Sequence, residues 1–189
     1  MTENNKIRCS WCNLSNPAYV AYHDEEWGVP VHDDRKLFEL LLLETFQAGL
    51  SWECVLNKRE AFRTAFDGYD FEAIAAYDGK KRQELMENKG IIRNRLKIEA
   101  AVTNARAFLN LRLEYGSFDR YLWGFTNGET IYETGRATSP LSDALSKDLR
   151  RRGMKFVGST IIYAYLQAVG VVCSHEAQCW LSRPRPTKE

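Results

Sequence analysis

The chain has 189 residues, of which 44% are hydrophobic and 27% are charged, and its formal net charge is +1. This composition is typical of a globular protein with one good core and room for two lobes, and the near-neutral charge neither requires nor excludes a polyanionic partner. No run approaches the roughly 20 apolar residues of a membrane span, and residues 1–6 are too polar to begin a signal peptide, so we expect a cytosolic protein with no membrane partner.

The N-terminal segment combines soft metal ligands with aromatic side chains. The possible ligands are Cys9, Cys12 and His23. The aromatic residues are Trp11, Tyr19, Tyr22 and Trp27. Aromatic residues belong to a core more often than to a ligand site, so this segment alone leaves both interpretations open.

An apolar helix followed by a glycine turn is predicted next. Asp33 or Asp34 can cap this helix, and Gly49 can end it in the left-handed conformation. Glu44 then falls in the last turn, where a carboxylate opposes the helix dipole, and Trp52 follows the turn. Because a carboxylate in an apolar neighbourhood needs a cation or N–H donors, the segment predicts a pocket for a flat, nitrogen-rich ring. The alternative is an exposed glutamate at a frayed helix end.

The middle of the chain is predicted to be helical as well. Apolar residues at three- and four-residue spacings are separated by Gly68, Gly79 and Gly90, which indicates short helices joined by tight turns. A longer helix is expected over about residues 93–115, with Gly116 as its stop. Alternating Val-, Ile- and Thr-rich segments are nearly absent, so we predict a mostly α fold in which residues 126–140 form an irregular loop.

Two further helices are predicted around a glycine-containing turn. Ser142 is expected to cap a helix over residues 143–152, and Ser159 or Thr160 to begin a helix that runs to Gly170. The turn has the form of a helix-hairpin-helix, in which amides at the start of the second helix can face a DNA phosphate. The residues expected at that phosphate are Arg150, Arg151, Arg152, Lys155, Gly158 and Ser159. An ordinary basic helix turn is the alternative.

The C-terminal region supplies a second pair of metal ligands. His175 and Cys179 are spaced i, i+4, which places them on one face of a helix. Together with two N-terminal ligands they would complete a tetrahedral structural zinc site that joins the two ends of the chain. The spacing leaves open whether the N-terminal pair is Cys9 with Cys12 or Cys9 with His23. Five cysteines are an odd number, so we do not expect a complete disulfide framework.

Several ungapped segments in one order resemble a known family. Residues 9–11, 17–30, 44–52, 90–98, 142–147 and 155–158 together are similar to the DNA-3-methyladenine glycosylase I family of constitutive bacterial alkylation-repair enzymes. The resemblance extends from about Arg8 to Cys179. It implies a helix-hairpin-helix DNA glycosylase fold in a single unit. We expect one lobe over about residues 34–140 and another from residues 1–33 plus 141–182, with zinc joining the N- and C-terminal segments.

The resemblance also implies roles for individual residues. Glu44 would contact and help to excise the base. The aromatic pocket would be formed by Trp11, Tyr19, Tyr22 and Trp52. We also expect Leu50, next to Gly49 on the turn, to be a wedge that fills the gap in the duplex. The structural Zn²⁺ would be held by Cys9, His23, His175 and Cys179. The expected partner is double-stranded DNA with alkylated bases.

Two residue types that other glycosylases use in catalysis are absent from the predicted site. Residues 170–174 lack the aspartate that many helix-hairpin-helix glycosylases place there, and no motif places a lysine in the pocket. We therefore expect a monofunctional enzyme that leaves an intact abasic site. A monomer is the default expectation for a repair enzyme with a single site. A non-catalytic duplex-binding module would leave Glu44 and Trp52 without a purpose. A binding protein for a free purine would not explain the basic turn.

Overall fold

A computed structural model describes residues 6–182. The basic residues Arg183, Arg185 and Lys188 lie outside this part of the chain. The helices are α1 (Pro17–Ala21), α2 (Asp34–Gln47), α3 (Trp52–Leu56), α4 (Arg59–Ala65), α5 (Phe71–Ala75), α6 (Gly79–Glu87), α7 (Arg95–Tyr115), α8 (Phe118–Trp123), α9 (Pro140–Arg151) and α10 (Ser159–Ala168). A π-helical turn covers Tyr22–Glu26, 3₁₀ turns cover Asp67–Tyr69 and Gly124–Thr126, and two-residue strands cover Ile131–Tyr132 (β1) and Val172–Cys173 (β2).

Helix α2 is the central element of the core. It packs against α7, α8 and α10, and every residue from Leu37 to Phe46 is buried. Asp33 caps the helix by accepting a hydrogen bond from the Lys36 N–H, as predicted from the sequence. A helix that is apolar on all sides requires neighbours on all sides, and α2 therefore brings the two halves of the chain together.

The predicted helices of residues 37–116 are confirmed. The short helices α4, α5 and α6 follow the apolar spacing, and α7 ends at Gly116 in the left-handed conformation with φ +85°. Gly49 also has positive φ, +80°, just beyond the end of α2. Among the described residues no helix is long and apolar enough to cross a membrane.

Two predictions for residues 126–142 need correction. The predicted irregular loop contains β1, which pairs in parallel with β2 because Ile131 and Tyr132 lie beside Val172 and Cys173. The helix predicted to start after Ser142 begins at Pro140. Ser139 is its cap, and the buried Ser142 completes a capping box at the third helical position, so the motif begins three residues earlier than predicted.

In the tight turn between α9 and α10, only one of the two glycines has a positive φ. Gly153 has φ +94°, whereas Gly158 has an ordinary extended conformation and caps α10. Phe156 adopts the second positive φ of the turn, +56°. Ser159 is the first residue of α10, as predicted. The Met154 and Val157 side chains are buried and fix the turn to the core.

Lys97 on α7 holds the end of α2. Its ammonium group is 2.7 Å from the Phe46 carbonyl oxygen and 2.7 Å from the Ala48 carbonyl oxygen, and the residue is 5% exposed. Burial lowers the pKa of Lys97. A positive charge at a helix C-terminus opposes the partial negative charge of its carbonyl groups. Lys97 therefore fixes the segment that carries Glu44 and the Gly49 turn.

We expect Lys97→Met to lower the free energy of unfolding by about 2–3 kcal/mol, because two buried carbonyl groups lose a charged donor. Urea unfolding followed by circular dichroism measures this change. The exposed Lys89 provides the control, since Lys89→Met is expected to change stability by less than about 0.5 kcal/mol. Equal stabilities of the two variants would contradict the role of Lys97.

Candidate active site and metal centre

A cavity of about 370 Å³ lies beside the C-terminal end of α2. Its volume is that of a small-molecule site. The lining residues come from four parts of the chain, and they are Trp11, Tyr19, Tyr22, Trp27, Glu44, Gln47, Trp52, Thr134, Gly135, Arg136, Ala164, Gln167, Ser174 and Glu176. All five residues predicted to form the base site, the four aromatic ones and Glu44, are therefore brought together.

Glu44 is the unusual residue of this cavity. It is 3% exposed, and no side chain or backbone group of residues 6–182 donates a hydrogen bond to its carboxylate. Burial raises the pKa of Glu44 to about 8. The predicted alternative of an exposed glutamate at a frayed helix end is wrong. An unpartnered buried carboxyl group at the wall of a cavity is suited to a ligand with positive charge or N–H donors.

The aromatic side chains surround the space next to Glu44. The Tyr22 and Trp52 rings have centroids 5.1 Å apart, and Trp11 and Tyr19 have centroids 5.5 Å apart. The Trp52 indole N–H is buried and has no hydrogen-bond partner within the described chain. Burial, followed by the neighbouring Glu44, raises the pKa of Tyr22 well above its ordinary value, so its hydroxyl stays protonated. The walls thus offer flat apolar faces and unused donors.

The π-helical turn connects the cavity to a second site. Successive residues Tyr22 and His23 are both buried, and Tyr22 lines the cavity whereas His23 faces Cys9 and Cys179. Such turns occur frequently at functional sites because the inserted residue changes the directions of neighbouring side chains. Trp11 contacts both sites, since its ring centroid is 5.2 Å from that of His23.

The second site is a buried cluster of four possible metal ligands. The ligand atoms of Cys9, His23, His175 and Cys179 all lie within 4.8 Å of one another. The Cys179 sulfur is 3.5 Å from His23 Nε2 and 3.5 Å from His175 Nδ1, and the Cys9 sulfur is also 3.5 Å from His175 Nδ1. Zinc bonds of about 2.3 Å to sulfur and about 2.0 Å to nitrogen, at a tetrahedral angle, separate those atoms by about 3.5 Å. The cluster therefore fits zinc.

Neighbouring groups orient both histidines. His23 Nδ1 is 2.8 Å from Asp24, and His175 Nε2 is 3.2 Å from the Trp27 carbonyl oxygen. Burial would raise the pKa of Asp24, but hydrogen bonds from Arg8 and then His23 outweigh it and hold that pKa below its usual range. Carboxylate and carbonyl acceptors of this kind fix the tautomers of metal-binding histidines. This leaves Nε2 of His23 and Nδ1 of His175 as the atoms that could bind a metal.

The protonation of the cluster also suits a cation. Burial lowers the pKa of His175 to about 4, so the imidazole is neutral at pH 7. Burial raises the pKa of the Cys9 thiol to about 12. A thiolate at that position therefore needs a positive partner, and a divalent metal supplies one.

Cys12 does not belong to this ligand cluster. Its thiol lies 3.9 Å from the Tyr19 carbonyl oxygen and is buried outside the four-residue group. The structure therefore brings His23, and not Cys12, together with Cys9, His175 and Cys179. Close sequence spacing favoured Cys12, but the π-helical turn brings the more distant His23 to the site.

The residues predicted to bind DNA differ in whether their side chains are free to bind a phosphate group. Leu50 is 40% exposed beside Gly49. Arg150 has no ion-pair partner among the described residues, and its guanidinium group lies close to the Gly158 backbone. Arg151 is paired with Asp148, and Lys155 is exposed. Arg152, in contrast, is held by Asp148 and Glu114.

The N-terminus of α10 presents free amides near these groups. No side chain caps the helix. The Ser159 hydroxyl lies 2.8 Å from that of Ser142 and 2.5 Å from the Asp143 carboxylate.

Part of the cavity wall was not predicted from the sequence. Gln47 lies within the segment of residues 44–52 but was not predicted to line the pocket. Thr134, Gly135 and Arg136 come from the predicted loop, and Gln167 and Ser174 come from the end of α10 and the segment after it. No local pattern marks these positions, because β1 and β2 place them beside α2 through long-range pairing.

Comparisons with known proteins agree with this geometry. The family model for methyladenine glycosylase matches residues 11–182. The chain is 45% identical over 179 residues to DNA-3-methyladenine glycosylase 1 of Escherichia coli (strain K12), covering 91% of this chain and 95% of that protein. A crystal structure of 3-methyladenine DNA glycosylase I matches with a TM-score of 0.90 and 44% identity, covering 94% of this chain and 100% of the other.

A crystal structure of a 3-methyladenine DNA glycosylase I variant in complex with 3-methyladenine is also similar. It has a TM-score of 0.87 and 34% identity, with 91% of this chain and 95% of the other chain covered.

Proposed function

The chain belongs to the methyladenine glycosylase family, and from that membership we propose that it excises 3-methyladenine from alkylated duplex DNA by hydrolysing the N-glycosidic bond. The observation that carries this proposal is the unpartnered Glu44 in a cavity with aromatic walls. Methylation at N3 gives adenine a positive charge. That charge is what a buried carboxylate would bind, whereas a normal adenine is neutral and gains less.

The proposed reaction needs little acid catalysis. When the glycosidic bond breaks, its electron pair moves to the cationic base, which leaves as a neutral molecule. Water supplies the hydroxyl group of the abasic sugar and releases a proton. Glu44 would accept hydrogen bonds from the adenine edge, and Tyr22 and Trp52 would stack on the ring. Trp11 and Tyr19 complete the aromatic wall. No lysine is among the described residues that line the cavity, which supports a reaction without a covalent lyase step.

We infer that α9, the turn at residues 152–158 and α10 form a helix-hairpin-helix that holds the duplex. The free amides at the start of α10, with Gly158 and Ser159, would face a phosphate group. Arg150, Arg151 and Lys155 would surround it. Such contacts position DNA without reading its sequence. Leu50, exposed on the Gly49 turn, would occupy the gap left by the flipped base.

A structural Zn²⁺ at Cys9, His23, His175 and Cys179 would fasten the two ends of the chain behind the cavity. The metal would fix the segment between Cys9 and His23, and it would thereby hold Trp11, Tyr19 and Tyr22 in place at the cavity. We also propose that the protein is a cytosolic monomer with two lobes.

Release of free bases tests the proposed activity. The purified protein is incubated with DNA alkylated to contain 3-methyladenine and 7-methylguanine, and the released bases are identified by chromatography. We expect selective release of 3-methyladenine. No release by a folded, metal-loaded protein that still binds duplex DNA would favour the non-catalytic binding module.

Arg150 provides a test of the proposed phosphate site. We expect Arg150→Ala to reduce the slope of log affinity against log salt concentration by about 1, because one phosphate contact no longer releases a counterion. Duplex binding is measured by fluorescence anisotropy at several salt concentrations. Arg35 serves as the control, since it is exposed on the first turn of α2, about 18 Å along the helix from the Gly49 turn. A slope for Arg150→Ala equal to that for Arg35→Ala would contradict the assignment.

A further inference from the structure

Arg136 lines the cavity on the segment of the chain that leads to the start of α9, and the family resemblance gives it no role. The chain leaves β1 with the Glu133 N–H bonded to the Cys173 carbonyl oxygen at 3.2 Å. It then passes along the cavity at Thr134, Gly135 and Arg136. Three residues later it reaches Ser139, the cap of α9.

The start of α9 is in contact with the start of α10. Ser142, in the first turn of α9, has its hydroxyl oxygen 2.8 Å from that of Ser159. The segment that carries Arg136 therefore connects the wall of the cavity with the start of α9, which is in contact with the start of α10. A flipped nucleotide needs contacts both in the cavity and near the duplex. Its base occupies the pocket, and its phosphate groups remain outside with the duplex backbone.

The charge of Arg136 argues against a contact with the base. A guanidinium group would repel a cationic base, and the cavity already has an acid for that charge in Glu44. The Arg136 side chain is 53% exposed, and its ion pair is with Glu133, three residues away, at 3.4 Å. An exposed, locally paired guanidinium group can turn to a phosphate at small cost, and its planar donors match phosphate oxygens in pairs.

We propose that Arg136 binds a phosphate group adjoining the flipped nucleotide and so holds that nucleotide at the mouth of the cavity. This inference rests on the proposed function, and it names a DNA contact outside the hairpin. It separates two kinds of recognition: Glu44 and the aromatic rings bind the base, whereas Arg136 binds the backbone attached to it. Loss of Arg136 should then weaken binding to DNA without weakening binding to the free base.

The test uses two probes with the full-length protein. One is a duplex that contains a tetrahydrofuran abasic analogue, which cannot be hydrolysed, and the other is free 3-methyladenine, whose binding is followed by tryptophan fluorescence. We expect Arg136→Ala to bind the duplex about 10-fold more weakly and to reduce its salt slope by about 1. Its affinity for the free base should stay within about twofold of wild type. Arg136→Lys should recover part of the duplex affinity, since lysine keeps the charge but not the paired donors.

Arg35→Ala is the matched control, because Arg35 is similarly exposed at 57% and is also paired with one acid, Asp70. The proposal is overturned if Arg136→Ala binds the duplex like Arg35→Ala, or if it loses affinity for the free base as strongly as for the duplex. A wild-type protein that binds the duplex but releases no 3-methyladenine would contradict the proposed activity alone, since the duplex measurement does not depend on hydrolysis.

Discussion

Replacement of Glu44 by glutamine is expected to lower kcat/KM for the release of 3-methyladenine by about 100- to 1000-fold, which corresponds to about 3–4 kcal/mol of lost electrostatic stabilisation. Glutamine has nearly the same shape but carries no charge for the cationic base. Single-turnover release from alkylated DNA measures the change. Release by Glu44→Gln at the wild-type rate would contradict the role assigned to this carboxylate.

The pH dependence of the wild-type enzyme provides a second measurement of the same role. Because burial raises the pKa of Glu44 to about 8 in the free protein, the group is mostly protonated at pH 7. A cationic base favours the carboxylate. We therefore expect kcat/KM to rise with pH up to about 8 and then to level off. The same profile should be flat for Glu44→Gln.

Glu44→Gln should be more stable than the wild-type protein at high pH, although it should be less active. The pKa of Glu44 is higher in the folded chain than in the unfolded chain, so the folded state disfavours ionisation. Stability is therefore lost as pH rises above the unfolded value and through about 8. Removing the ionisable group should raise the free energy of unfolding at pH 8 by on the order of 3 kcal/mol. Urea unfolding at pH 5 and pH 8 should show the gain only at the higher pH.

Glu39 on the same helix is the matched control. It is also 3% exposed, but its carboxylate accepts hydrogen bonds from Arg59 at 2.6 Å and Arg63 at 3.2 Å. Glu39→Gln should destabilise the protein, because it removes one of the two carboxylates that pair with the largely buried Arg59 guanidinium group and leaves only Glu26. Its rate of base release should remain close to that of wild type. Two buried glutamates five residues apart on α2 thus have opposite predicted effects on stability.

Loss of the metal is expected to have the second large effect. We predict one zinc ion per purified chain, and a fall in Tm of about 10–15 °C when a chelator removes it or when Cys179→Ser prevents binding. This shift corresponds to about 4 kcal/mol for a chain of this length. The physical reason is that a metal bound only in the folded state stabilises that state, and here it closes a loop from residue 9 to residue 179.

The neighbouring thiol is the control for this prediction. Cys12 is buried close to Cys9 but lies outside the ligand cluster. Cys12→Ser should therefore keep one zinc ion per chain by mass spectrometry, with a small change in Tm. A purified wild-type protein that contains no metal, or a Cys12→Ser variant that loses it, would refute the site as described.

The sequence by itself determined the features that depend on neighbours within a few residues. Apolar spacing located α2, α4, α5, α6 and α7, and glycines at 49 and 116 marked turns because only a residue without a side chain adopts positive φ easily. The block at residues 44–52 identified the carboxylate of the pocket, whereas residue spacing alone left open whether Cys12 or His23 joins Cys9 in the cluster. Ser139 was missed because Ser142, a residue of the same type, also suits a cap, and both belong to one capping box.

Only the tertiary structure decided the state of the functional groups. The burial of Glu44, its missing partner and its raised pKa result from segments more than 100 residues apart that close around α2. The choice of His23 over Cys12 depended on a π-helical turn, and the placement of Arg136 depended on a two-residue pairing between β1 and β2. Burial and electrostatic interactions are sums over all neighbours in space, and local spacing describes only those neighbours that are close along the chain.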